Sequence, residues 1–126
     1  LNYAHQLNEE LQPVFHRLHQ CEWEQSIEIV PQFFLHKLHA DLTTIDLKNL
    51  PKFDLIYFDA FAPNKQPEMW TDAVFSKISA QCNTGAIITT YCAKGDVRRS
   101  LQKNGYLMQR LSGPPGKKEM LFGEKA

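Results

Sequence analysis

The stretch "FDLIYFDAFAPNKQPEMW", residues 53–70, decides the reading of the fold. Its first part, "FDLIYFD" (53–59), is a short continuous apolar run that closes on an acid, the pattern of a strand covered on both faces in a parallel sheet. The rest, from Ala60 to Trp70, follows neither a helical nor a strand period and holds Pro63, Pro67, Phe61 and Trp70. A stiff, aromatic loop that begins on an aspartate at a strand end is where open α/β sheets bind their ligands.

Downstream, "TDAVFSKISAQC" (71–82) reads as a helix: Thr71 is placed to cap it, Asp72 suits its positive end, and Val74, Phe75 and Ile78 face inward. "GAIITTYCA" (85–93) is a second buried strand, and "GDVRRSLQKNG" (95–105) a helix opened by Asp96 and closed by Gly105. "YLMQRL" (106–111) and "KEMLFG" (118–123) are strands joined by "SGPPGK". So short a link predicts an antiparallel hairpin, because a parallel return needs a crossover of about a dozen residues. Upstream, residues 3–25 carry Leu7, Leu11, Val14, Phe15 and Leu18 at helical spacing, with Pro13 predicting a kink or two short helices. "SIEIVPQFFLHKLHADL" (26–42) alternates as strand material through Ile27, Ile29, Phe33, Leu35 and Leu38, broken at Pro31. "TTIDLKNLPK" (43–52) is a connector with one helical turn. Strands alternating with helices imply an α/β fold: one domain over residues 1–126, with a mostly parallel sheet, helices on both faces and an antiparallel last strand.

The totals agree with one soluble domain. The chain has 126 residues, with 14 basic and 14 acidic side chains and zero formal charge. No global field marks a nucleic-acid partner, so any such site must be a local basic patch. Cys21, Cys82 and Cys92 are odd in number and lack CxxC spacing, which favours a reduced, cytoplasmic setting. No apolar run is long enough for a bilayer. His5, His16, His19 and Cys21 do not offer the four converging ligands of a zinc site, and no metal is expected.

Three motifs in order, "YFDAFAPNKQPEMWT", "TYCAKGDVRRSLQKNGY" and "GPPGKKEML", are similar to the tRNA 5-methylaminomethyl-2-thiouridine methyltransferase family. That family includes the N-terminal domain of a bacterial bifunctional tRNA-modifying enzyme and its free-standing form. The resemblance implies a Rossmann-like class I S-adenosylmethionine-dependent methyltransferase fold, S-adenosylmethionine as cofactor and tRNA as partner. The activity it implies is methylation of the aminomethyl group on the wobble 2-thiouridine. A different amino-methyltransferase of the same fold and a non-catalytic interaction fragment are the alternative readings.

The glycines depart from that pattern. Gly85, Gly95, Gly105, Gly113, Gly116 and Gly123 form no GxGxxG after an early strand, and the first residue is Leu1. The chain is therefore expected to be the C-terminal portion of a methyltransferase domain, inactive alone and prone to self-association. Its end just after the last strand resembles the free-standing form.

Asp59 is the leading catalytic candidate. Only a neutral amine has a lone pair to receive a methyl group, and a primary aminomethyl group resembles lysine, with a pKa near ~10. A carboxylate at the strand end, with the Ala60 carbonyl, would accept the amine's protons and aim its lone pair. An N-cap or a surface ion pair is the competing reading of Asp59. Phe61, Pro63 and Trp70 would supply an apolar wall against the methyl donor or the base, and Tyr91 a hydroxyl from the next strand end; plain packing is the alternative for each. The resemblance places Asp41 and Leu42 at the adenine of the cofactor, with a turn-capping aspartate as the alternative, and Asp59 and Ala60 are candidate cofactor-binding residues as well. Arg98, Arg99, Lys103, Arg110, Lys117 and Lys118 form a candidate basic rim for tRNA phosphates, with Arg98, Arg99, Lys117 and Lys118 at its centre.

Overall fold

A computed structural model describes residues 3–126, which fall into two units, one up to Ala40 and the other Asp41–Ala126. In the first, a 3-10 turn at Ala4–Gln6 precedes helix α1 (Gln12–Gln20), followed by an antiparallel hairpin of β1 (Ser26–Val30) and β2 (Phe33–His36). The continuous pattern over residues 3–25 is thus two short helical pieces. Pro13 lies in the first turn of α1, where a missing N–H costs no helical bond. Pro31 and Gln32 form the turn of the hairpin, and Gln32 takes a positive φ of 67°. Lys37 ties this unit together by donating to the Leu18 and His19 carbonyls at 3.2 and 3.3 Å while its ammonium lies over Trp23.

The second unit is built on a sheet of order β3-β4-β6-β5, where β3 is Phe53–Tyr57, β4 Cys82–Thr90, β5 Tyr106–Ser112 and β6 Glu119–Lys125. Helix α2 (Asp72–Ala80) links β3 to β4, and α3 (Gly95–Lys103) links β4 to β5. Thr71 caps α2, its hydroxyl accepting from the Val74 amide at 3.3 Å. Val74, Phe75 and Ile78 of α2 and Val97 and Leu101 of α3 pack with Ala86, Ile88, Tyr106 and Leu121 of the sheet in one buried cluster. Burial raises the Tyr106 phenol above its ordinary range, assisted by its contact with the Cys82 thiol at 3.2 Å.

Three expectations need correction. The sheet is mixed, not mostly parallel: β3–β4 is parallel, whereas β4–β6 and β5–β6 are antiparallel. The β5–β6 hairpin folds back so that β6 inserts between β4 and β5, and the second crossover lands one strand away from its parallel neighbour. Helices do not cover both faces of this sheet within residues 41–126, since α2 and α3 contribute to the same core cluster. The register places Leu55, Ile87, Glu124 and Leu107 side by side on the other face, with Leu55 and Leu107 exposed. Finally, the strand expected to run to Asp41 stops at His36, and residues 26–36 form a separate two-stranded sheet.

Candidate functional site

The site begins where β3 leaves the sheet. The Phe58 amide still donates to the Thr89 carbonyl at 2.9 Å, so the ladder continues one residue past β3 and Asp59 is the first residue beyond it. Phe58 is buried, with Trp70 at 5.0 Å and Phe75 at 5.4 Å between ring centroids, both edge-on. This aromatic cluster anchors the loop to the core. The loop closes through one 3-10 turn, Pro67–Trp70, and Trp70 Nε1 donates to the Phe61 carbonyl at 2.7 Å.

Because β3 and β4 run parallel, with Tyr57 opposite Thr89, Tyr91 leaves β4 at the same edge as Asp59. The Thr90 hydroxyl accepts from the Cys92 amide at 3.3 Å and fixes the chain's exit there. The start of β6 and the β5–β6 link arrive at that edge too, since Thr90 pairs with Leu121 and Ser112 with Glu119. Gly113 is required in this link: a Cβ would lie 2.5 Å from the Lys117 carbonyl oxygen. Gly116 takes a positive φ of 87° in the same turn.

Two adjoining hollows result. One, of about 270 Å³, lies among Tyr57, Asp59, Thr89, Tyr91 and Met120. The other, of about 400 Å³, is lined by Asp59, Ala60, Pro63, Trp70, Tyr91 and Lys117, with Cys92 and Lys94 beside them. Both volumes fall near the range of small-ligand pockets. Asp59, Thr90 and Tyr91 border both. Among the described residues the exposed Asp59 carboxylate has no hydrogen-bond or ion-pair partner, so it is available to a ligand.

The structure gathers Asp59, Ala60, Pro63, Trp70, Tyr91 and Lys117 at one cleft. It does not bring the other candidates there. Phe61 is 76 % exposed and lines neither hollow; the wall is made by Pro63 and Trp70. Asp41 sits on a turn, where its carboxylate accepts the Thr43 hydroxyl at 2.7 Å and amide at 2.8 Å, which hold its pKa below the usual carboxylate range. Leu42 offers its carbonyl to the Lys77 ammonium at 2.9 Å. Neither borders the hollows. In the basic rim, Arg99 pairs with Asp96, Lys103 with Asp72 at 2.6 Å, and Arg110 with Glu119 at 3.7 Å. Arg98 has its Nε buried without a partner among the described residues, and Lys118 lies outside both hollows. Lys94 and Met120 border the cleft without having been singled out in the sequence; their position just past β4 and at the start of β6 is the signal that marks them.

The lining suits the reactive end of a sulfonium cofactor and an amine: a free carboxylate, an aromatic edge and a volume open to small groups. No group of three or more His, Cys, Asp or Glu side chains is placed to hold a metal, and no helix is long and apolar enough to cross a membrane, among the described residues.

A cleft at the carboxyl ends of two neighbouring parallel strands, with a helix crossover between them, is the arrangement of an α/β protein. Residues 3–126 match the profile of the S-adenosyl-L-methionine-dependent methyltransferase family, and the chain belongs to that family. It is 44 % identical over 73 residues to the tRNA 5-methylaminomethyl-2-thiouridine biosynthesis bifunctional protein MnmC of Aeromonas hydrophila, covering 58 % of this chain and 11 % of that protein. It is 33 % identical over 108 residues to the protein of the same name from Paraburkholderia phymatum, covering 86 % and 16 %. The crystal structure of MnmC2 from Aquifex aeolicus shares the fold, with a TM-score of 0.72 and 23 % identity over 94 % of this chain and 38 % of that one. The chain thus spans a minor part of the proteins it matches.

Proposed function

We propose that the full-length protein transfers a methyl group from S-adenosylmethionine to the aminomethyl nitrogen on the wobble 2-thiouridine of tRNA, in the cytoplasm. The observation that carries this reading is the unpartnered Asp59 carboxylate at the mouth between β3 and β4, flanked by Tyr91, Pro63 and Trp70. Similarity to the MnmC proteins, whose names specify 5-methylaminomethyl-2-thiouridine biosynthesis, supports the substrate.

When bound, S-adenosylmethionine supplies an electrophilic methyl group. Asp59 and the Ala60 carbonyl accept N–H bonds from the incoming amine, and Asp59 receives the proton that the ammonium form must lose. Held this way, the nitrogen presents its lone pair in one direction. Pro63 and Trp70 bound the base, and Tyr91, at the end of the neighbouring strand β4 on the same edge, offers a hydroxyl to orient it. The reading leaves Phe61 a backbone part, as acceptor for Trp70. Asp41 and Leu42 remain candidates for the adenine, and Arg98, Arg99 and Lys118 for outer tRNA phosphates. Residues 1–126 alone are proposed not to turn over, because no glycine-rich GxGxxG turn occurs in them to cradle the cofactor.

The test is transfer of labelled methyl from S-adenosylmethionine to an anticodon stem-loop RNA carrying the aminomethyl group, catalysed by the full-length protein. Label on the aminomethyl nitrogen supports the reading. Label on a ring atom, a ribose or a protein or small-molecule amine instead overturns it.

A further inference from the structure

The six candidate cations of the rim are not equivalent, and the difference points inward. Arg99, Lys103 and Arg110 are already paired with Asp96, Asp72 and Glu119. Lys94 and Lys117 are exposed, and among the described residues neither ammonium has a partner. Both border the larger hollow, the same one that Asp59, Trp70 and Tyr91 border. They arrive from different elements. Lys94 stands immediately before α3, and Lys117 lies on the β5–β6 link, held there by the hydrogen bond that its backbone N–H donates to the Pro114 carbonyl at 2.9 Å and by the close approach that only Gly113 permits.

The hollow therefore carries one acid and two bases in its lining, together with the apolar Pro63 and Trp70. That set of groups fits a ligand that combines a cationic group, a flat apolar part and an anionic group. An aminomethyl-uridine nucleotide has this form: an ammonium, a base and a phosphodiester. We infer that Lys94 and Lys117 together hold a phosphate directly flanking the target nucleotide, setting how deeply its base enters the cleft while Asp59 meets the amine. This rests on the proposed function above and deepens it. It assigns a part to Lys94 and gives the innermost phosphate to this pair, leaving Arg98, Arg99 and Lys118 to contacts farther out.

The experiment uses the full-length protein and a set of anticodon stem-loop RNAs in which single phosphates across the loop are replaced by neutral methylphosphonates. Wild-type protein should lose about tenfold in affinity at one phosphate flanking the target nucleotide, the size expected for a lost charge-assisted contact. The Lys94→Ala/Lys117→Ala double variant should bind the unmodified RNA about tenfold more weakly, with a shallower salt dependence, and be indifferent to that same replacement. Lys94→Arg/Lys117→Arg should restore binding and sensitivity. Turnover of the nucleoside 5′-monophosphate should fall in the double variant by a larger factor than turnover of the free aminomethyl-thiouridine nucleoside, which has no phosphate; equal falls would show that the lysines do not act through the phosphate. If the double variant loses affinity at the flanking phosphate as steeply as wild type does, the lysines do not touch it and the inference falls while the proposed reaction stands. If wild type methylates neither RNA nor nucleoside at the aminomethyl nitrogen, the reaction itself falls and takes this inference with it.

Discussion

Replacing Asp59 by Asn in the full-length protein separates a chemical role from a structural one. The carboxylate is exposed and unpartnered among the described residues, so its loss breaks no hydrogen bond or ion pair and should change stability by no more than about 0.5 kcal/mol. A group that accepts a proton from the reacting nitrogen typically contributes about 10²–10⁴ in rate, or roughly 3–5 kcal/mol of barrier. The expected result is therefore a large fall in single-turnover methyl transfer, with cofactor affinity within a few fold by calorimetry. The pH profile adds a signature. Without Asp59 the amine must arrive already neutral, and below its pKa of about 10 the neutral fraction rises about tenfold per pH unit. Transfer by Asp59→Asn should climb steeply from neutral to alkaline pH, and the gap to wild type should narrow. A rate close to wild type at neutral pH would refute the reasoning. So would a loss explained wholly by weakened cofactor binding.

Other consequences of the structure are open to direct measurement. Thr71→Ala removes the cap of α2 and should cost about 1 kcal/mol in denaturant unfolding, without loss of helix content at low denaturant. The Asp72 carboxyl is held below the usual range by Lys103 and then Ser100. Its stabilising contribution is present above the ordinary value of 3.8 and lost as pH falls through the lowered one, so Asp72→Asn should flatten the acid limb of the stability profile below that pH. The exposed Leu55 and Leu107 share one face of the sheet, and residues 1–126 in isolation should self-associate with rising concentration. Sedimentation of Leu55→Lys/Leu107→Lys should return monomer; unchanged association would place the contact elsewhere.

Much of the second unit was legible because its signals are local. The "FDLIYFD" run, the Thr71–Asp72 cap and the "GAIITTYCA" run specify a strand–helix–strand crossover from neighbouring residues alone, and the crossover puts Asp59 and Tyr91 at one edge. The Gly/Pro link likewise foretold the last hairpin. Which of its strands lies beside β4 was not legible, because that choice depends on a long-range ladder, Ile87–Thr90 against Leu121–Glu124. Phe58 and Phe61 illustrate the same limit at the site. They are chemically identical, yet the Trp70 bond to the Phe61 carbonyl and the Phe75 packing turn one inward and leave the other exposed. Asp41 looked like a strand-end acid because apolar residues alternate up to Leu38, but β2 ends at His36 and Thr43 draws the side chain into a turn. Lys94 carries no signal in the sequence, because a lysine before a helix is ordinary until the fold sets it on the same hollow as Lys117.

The most direct measurement is nucleoside mass spectrometry of tRNA from a strain lacking the full-length gene, complemented with either the wild-type or the Asp59→Ala protein. Wild type should restore the methylaminomethyl nucleoside, while Asp59→Ala, expressed to the same level, should leave its aminomethyl precursor accumulated. Full restoration by Asp59→Ala, or no precursor in the deletion strain, would contradict the assignment of amine methylation to this cleft.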